Sequence, residues 1–219
     1  MSGLTVNLLG HFEATYSGDR RLHFPTTKTQ ALLTYLLVEE SQQPGISHQR
    51  GFLMMLLWPD ILPSSAQANL RQTLYRLRQN MPELEATPGH TQPLLLSDRQ
   101  SVQLNPVVNY RLDVAEFERA LQQAERGSQD GRMASLSEAI ALYRGDFLED
   151  VYVPDSEAFE NWAGQVRERL RRHALDALYQ IGEIALDLGD HKRAQDMARR
   201  QIVIDELHEA AYLLLMLAL

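Results

Sequence analysis

Residues 64–81 read SSAQANLRQTLYRLRQNM. Leu70, Leu74, Leu77 and Met81 recur at steps of four, three and four, which predicts a helix with one apolar stripe. With about 100° of turn per residue, Asn69, Gln72, Tyr75, Arg76 and Gln79 fall opposite Leu70, and Arg71 and Arg78 take one shoulder. The outward face carries no carboxylate. It offers guanidinium forks, amides and a phenol, the groups that bond phosphates and base edges. An ordinary surface helix whose arginines pair with acids elsewhere would show the same residues, so the two readings stand side by side at this point.

The flanking sequence supplies the body against which such a stripe could pack. Leu4, Val6 and Leu8, then Phe12, Ala14 and Tyr16, alternate as strands do, and a third short strand is expected at Leu22–Phe24 before Pro25. Thr26 or Thr27 can cap a helix through Ala31, Leu32, Tyr35, Leu36 and Val38 that stops near Pro44 and Gly45. Ser47 is expected to open a second helix holding Phe52, Leu53, Leu56 and Leu57, which Pro59 halts. Ser64 or Ser65 would cap the third, at 65–80. Beyond it, Leu94–Ser97 and Ser101–Leu104 flank Asp98, Arg99 and Gln100 as a hairpin with a charged tip. Sheet, three helices and hairpin in this order predict an α+β winged helix-turn-helix, with 65–80 in the recognition position.

The run ISHQRGFLMMLLWPDILPSSAQANLRQTLYRLRQNM, residues 46–81, resembles the OmpR-like DNA-binding domain of SARP-type bacterial transcriptional regulators. LLWPD, the Ala-x-x-Asn-Leu-Arg-Gln-x-Leu of Ala66 to Leu74 and the Arg-Leu-Arg of Arg76 to Arg78 carry the resemblance together. It implies a sequence-specific activator that binds double-stranded promoter DNA. Arg71, Gln72, Tyr75 and Arg76 would enter the major groove, and Asn69 and Arg78 would hold base edges or phosphates. Arg99 would reach the backbone or the neighbouring minor groove, and Lys28, His48 and Arg50 are candidate phosphate contacts. In OmpR-like activators the loop before the recognition helix touches RNA polymerase; here that loop is Asp60, Ile61, Leu62 and Pro63, which a tight Pro-shaped connection explains equally well. SARP-type relatives often bind direct repeats as side-by-side dimers.

The second half reads as all-α. Asn105–Leu112 is expected to connect the domains. Asp113 can cap a helix carrying Val114, Phe117, Leu121 and Ala124, Gly127–Gly131 breaks it, and Leu136, Ala139, Ile140 and Tyr143 form a second. From Phe159 to Leu188 one stripe runs for about thirty residues, long enough to suggest a helical repeat. In a repeat of about 34 residues, Gly182 and Ala185 on one helix would face Ala194 and Ala198 on the next. Adding that period to Leu178 and Ile181 gives Tyr212 and Leu215. Asp113-Val114 with Phe117, AIALYRGDF at Ala139–Phe147 and LGDHKRA at Leu188–Ala194 resemble the bacterial transcriptional activator domain that follows the winged helix in SARP-type regulators. The resemblance implies a helical module for dimerisation or activation. The expected organisation is therefore a winged helix at 1–105 and a TPR-like domain at 106–219, the latter expected to be cut short because YLLLMLAL has no polar face or cap.

Composition fits this scheme. With 44% apolar and 23% charged residues the chain falls among ordinary globular proteins. The absence of cysteine excludes disulfides and thiolate metal sites and suggests a reducing cytoplasm. No signal pattern or membrane-length apolar run is present. The net charge of −8 is uneven: residues 1–105 hold eight basic and eight acidic side chains, so the excess lies in the second half. That neutral first half keeps open a helical-repeat adaptor whose winged helix binds protein instead of DNA. For an enzyme there is little: no phosphate-binding glycine loop, HExxH or nucleophile elbow occurs, and no two histidines stand at i, i+4. No cofactor is expected.

Overall fold

From Ala31 to Val38 eight consecutive residues are buried in a computed structural model that describes residues 3–18 and 20–219. They belong to α1 (Thr27–Gln42). A helix with no solvent face has to sit at the centre of its unit. Thr26 caps it, its hydroxyl accepting from the Thr29 N–H at 3.3 Å.

The elements around α1 come from three parts of the chain. One sheet has the order β3-β2-β1-β9: β1 (Leu4–Asn7) and β2 (Glu13–Tyr16) pair antiparallel, β3 (Arg20–Arg21) lies outside β2, and β9 (Tyr110–Leu112) runs parallel to β1. The second sheet joins β4 (His48–Gln49) to the hairpin of β7 (Leu95–Ser97) and β8 (Ser101–Leu104). Between β4 and β7 in sequence lie α2 (Arg50–Leu57), α3 (Pro63–Asn80) and a separate hairpin of β5 (Leu84–Thr87) and β6 (His90–Gln92). This is the winged helix predicted by the order of elements.

Several details differ from expectation. The third strand sits at 20–21 instead of 22–24. Ser47 does not open the second helix, because His48 and Gln49 pair with β8 first and the helix begins at Arg50. Part of the supposed connection, Tyr110–Leu112, is a strand of the first sheet. The buried Asp113 carboxylate fixes that strand: it accepts from the Leu8 N–H at 2.8 and 2.9 Å and the Leu9 N–H at 3.0 Å. Two backbone donors leaving β1 are thereby satisfied by the residue that follows β9.

Residues Leu148–Gln165 return to this unit, which otherwise ends at Ala115. Leu148 N donates to Leu8 O at 2.9 Å, Glu149 N to Gly10 O at 3.1 Å, and Asp150 accepts from Phe12 N at 2.8 Å. Leu148 and Asp155 hold φ of 52° and 55°, an uncommon conformation for residues with a Cβ, so tertiary bonding shapes the irregular path between them. The segment then enters α6 (Glu157–Asp187), where the Trp162 indole N–H donates to Glu39 at 2.9 Å and its ring meets Tyr35 edge-on at 5.0 Å.

The second unit, Glu116–Phe147 with Val166–Leu219, is helical: most of α4 (Asp113–Arg126), α5 (Gln129–Leu142), the rest of α6, α7 (His191–Ile204) and α8 (Glu209–Leu217). The predicted break at 127–131 is shorter than expected, since Gly131 already lies in α5. Arg200 reaches from α7 to the carbonyls of Ile140 and Tyr143, both at 2.8 Å, and so closes the unpaired end of α5. Asp190 caps α7 after Gly189, whose φ of +74° suits a residue without a Cβ. Buried Leu178, Ile181 and Ala185 on α6 recur as buried Ala211, Leu214 and Ala218, an offset of 33 residues. The expected offset of 34 is therefore one too long: Tyr212 is 44% exposed because α8 is rotated to bring Leu214 over Gly182. Among the described residues no helix is long and apolar enough to cross a membrane.

A Cβ on Gly182 would lie 2.4 Å from Leu214 Cδ2, whereas one on Gly164 meets nothing within 4 Å. Gly182→Val should lower stability in urea unfolding by about 1–3 kcal/mol through overpacking. Gly164→Ala on the same helix should raise it by about 0.5–1 kcal/mol.

His48 is 6% exposed, its ring edge-on to Tyr35 at 5.1 Å and its Nε2 without a hydrogen-bond partner. Burial lowers its pKa from 6.5, with Glu39 opposing. The unfolded chain thus binds the proton more readily, so stability is full above the ordinary histidine range and falls as pH drops through it. Unfolding between pH 7.5 and 5.5 should show this loss, and His48→Phe should flatten it.

Candidate nucleic-acid interface

Helix α3, in the recognition position, begins two residues earlier than its sequence suggests. Pro63 is its first residue, where a missing N–H costs nothing, and Leu62 is the cap residue with no side-chain bond. Neither Ser64 nor Ser65 caps it. Ala66, Leu70, Thr73, Leu74 and Leu77 are buried along one side. Asn69, Arg71, Gln72, Tyr75 and Arg78 are exposed on the other, Tyr75 by 58%, and Arg76 is half-buried. No carboxylate lies within salt-bridge distance of Arg71, Arg76 or Arg78 among the described residues. Among the described residues these arginines make none of the ion pairs expected of an ordinary surface helix.

The β7–β8 hairpin stands beside the helix and is bonded to it. Arg78 Nη2 donates to Ser97 Oγ at 2.7 Å, so this guanidinium ties the end of α3 to the hairpin and keeps its other donors outward. At the tip the Asp98 carboxylate accepts from the N–H groups of Gln100 and Ser101, each at 2.7 Å. The Gln100 N–H leads in holding that carboxyl below its ordinary range. With the turn closed in this way, Arg99 projects from it exposed. The Arg50 N–H donates to Gln100 O at 2.8 Å, which brings the start of α2 to the tip.

The three candidate phosphate contacts fare differently. His48 is not inside the second helix but in β4, buried beneath the hairpin, because its partner Val102 faces the core. Lys28 turns inward: its Nζ donates to Leu57 O at 2.7 Å and lies 5.4 Å from the Trp58 ring centre, where burial pulls its pKa down. Arg50 is half-buried at the hairpin tip, with its Nε enclosed and its charge felt by Asp98. Of the residues before α3, Asp60, Ile61 and Leu62 are exposed, Leu62 by 73%, and Pro63 belongs to the helix. Sequence reading missed β4, the β5–β6 hairpin and the role of Lys28; two-residue strands and a lone lysine carry no periodic signal.

Residues 112–219 match the family model described as bacterial transcriptional activator domain. Among solved structures the chain is similar to Mycobacterium tuberculosis EmbR in complex with a low affinity phosphopeptide, at 19% identity and a TM-score of 0.68. That match covers 100% of this chain and 55% of the EmbR chain, so the present chain spans about half the length of that structure. Comparison with curated proteins gives no match. The chain therefore carries a bacterial transcriptional activator domain at residues 112–219, preceded by a winged-helix unit.

Proposed function

We propose that this chain is a SARP-type bacterial transcriptional regulator that activates transcription by binding double-stranded promoter DNA, with α3 in the major groove and the β7–β8 hairpin as the wing. The observation that carries the reading is the outward face of α3: Asn69, Arg71, Gln72 and Tyr75 stand exposed without a carboxylate partner. An 18-residue helix is about 27 Å long, and its side-chain chemistry matches base edges and phosphates. Arg76 adds a half-buried cation and Arg78 a second anchored one. Arg99 and Arg50 at the wing tip would meet backbone phosphate, while His48 is left out of the contact set because it is buried and half-buried Lys28 because its ammonium is engaged by Leu57 O.

Charge within the unit supports this orientation. The segment 148–165 brings five carboxylates and no base, whereas α3 brings three arginines and no acid. A unit that is acidic in sum can still present a cationic face, and electrostatic steering follows local charge. Exposed Asp60, Ile61 and Leu62 are proposed as a contact for RNA polymerase, and side-by-side binding of two copies on direct repeats as the promoter-bound form. The helical unit serves protein contacts. The role is one of binding, without a catalytic step or cofactor.

Selection of bound duplexes from random DNA should return a motif with a defined half-site spacing. On that motif Arg71→Ala or Gln72→Ala should cost about 1–3 kcal/mol where the side chain reads a base, and losing a phosphate contact should lower the salt slope by about one on any sequence. Unchanged affinity in every α3 alanine variant would remove the reading.

A further inference from the structure

The carbonyl of Leu57 lies at the end of α2, just before the five residues, Trp58 to Leu62, that lead into α3. A terminal helix carbonyl has no intrahelical partner. Here two side chains converge on it: Lys28 Nζ from α1 at 2.7 Å and Ser156 Oγ at 2.7 Å. Ser156 is 2% exposed and Leu57 fully buried. The Pro154 carbonyl lies farther from the same hydroxyl, at 3.4 Å, so the shorter bond is the one to Leu57. Two donors saturate the two lone pairs of the oxygen.

Charge reinforces the convergence. Asp60, in the turn, and Asp155, next to Ser156, both act on the Lys28 ammonium, and Trp58 lies beneath it. At the two helix ends that face this turn, Trp58 closes α2 with its backbone N–H on Met54 O at 2.8 Å, and the α3 cap residue Leu62 makes no side-chain cap bond. The apolar stripe of α3 holds the helix against the core, but the point where the helix starts depends on where α2 ends.

We propose that Lys28 and Ser156 are positioning residues for DNA reading: together they lock the end of α2 and so set the start of the recognition helix. Ser156 makes that setting depend on residues 148–165, a segment drawn from the half of the chain that carries the activator domain. The proposal rests on the DNA-binding function given above. It assigns Lys28 a role through the fold instead of the phosphate contact its charge suggests.

Two measurements on the full chain test it: hydrogen exchange of the amides of residues 58–66 without DNA, and affinity for the selected duplex at several salt concentrations. Ser156→Ala and Lys28→Met should each speed exchange in that stretch by about 3- to 10-fold, the scale of one buried hydrogen bond, and leave β1 and α7 unaffected. DNA affinity should fall by a similar factor with the salt slope unchanged. The double variant should lose more than the product of the single effects, because each single variant leaves the carbonyl one partner. Ser156→Ala removes one oxygen and keeps the test standing if Lys28→Met does not fold.

A salt slope lowered by about one in Lys28→Met would show a phosphate contact and overturn the proposal. So would unchanged exchange at 58–66, or faster exchange with unchanged affinity, which leaves both residues merely structural. A parent chain that binds no duplex, and so behaves like Arg71→Ala, would overturn the DNA reading itself, an outcome distinct from any of these.

Discussion

A helix buried on every face cannot be stable until each face is covered, and α1 imposes that condition on the whole first unit. Leu32, Leu33, Leu36 and Leu37 are each at most 1% exposed, and burying a leucine contributes about 1.5–3 kcal/mol. Helices α2 and α3 pack on part of this surface and β8 on another. Trp162, from far along the chain, meets Tyr35 and bonds Glu39. The winged helix is thus completed by a segment, 148–165, that returns to it after residues 116–147 have left the unit, and the stripe on α3 has a surface to press against only because that wrapping closes.

The same economy of partners appears at the edges of the unit. Asp113 serves the backbone donors at Leu8 and Leu9, and Ser156 and Lys28 serve the carbonyl at Leu57. Each is a side chain spent on a backbone group that secondary structure leaves unpaired, where burial without a partner would be costly. Arg78 bonding Ser97 and the Asp98 turn do the equivalent for the recognition face, fixing the relation of α3 to the wing while the neighbouring polar side chains stay exposed. Rigidity near the proposed interface therefore comes from groups that do not themselves touch a ligand.

In the second unit the determining fact is steric. Gly182 lets Leu214 approach more closely than any side chain would allow, and Ala185, Ala194 and Ala218 gather in one small-residue cluster beside it. Small residues set how near two helices come, and nearness sets the rotation of α8. That is why Tyr212 turns outward, and why Leu213, Met216 and Leu217 are exposed as well.

What the sequence determined by itself is whatever repeats locally. The stripe of Leu70, Leu74 and Leu77, the cap at Thr26, the alternation in β1 and β2, the hairpin around Asp98 and the long helix from Phe159 are written in spacing, and spacing is enough because each is stabilised by neighbours within a few turns. The outward set on α3 was legible for the same reason, since a helix that buries one side must expose the other. Tertiary structure alone decided the rest. Strands of two or three residues, β4 and β9, exist only through partners elsewhere. His48 and Lys28 look like surface cations until the fold buries the one and bonds the other. The return of residues 148–165 to the first unit follows from hydrogen bonds between positions 99 to 138 apart, a kind of order that no local pattern encodes.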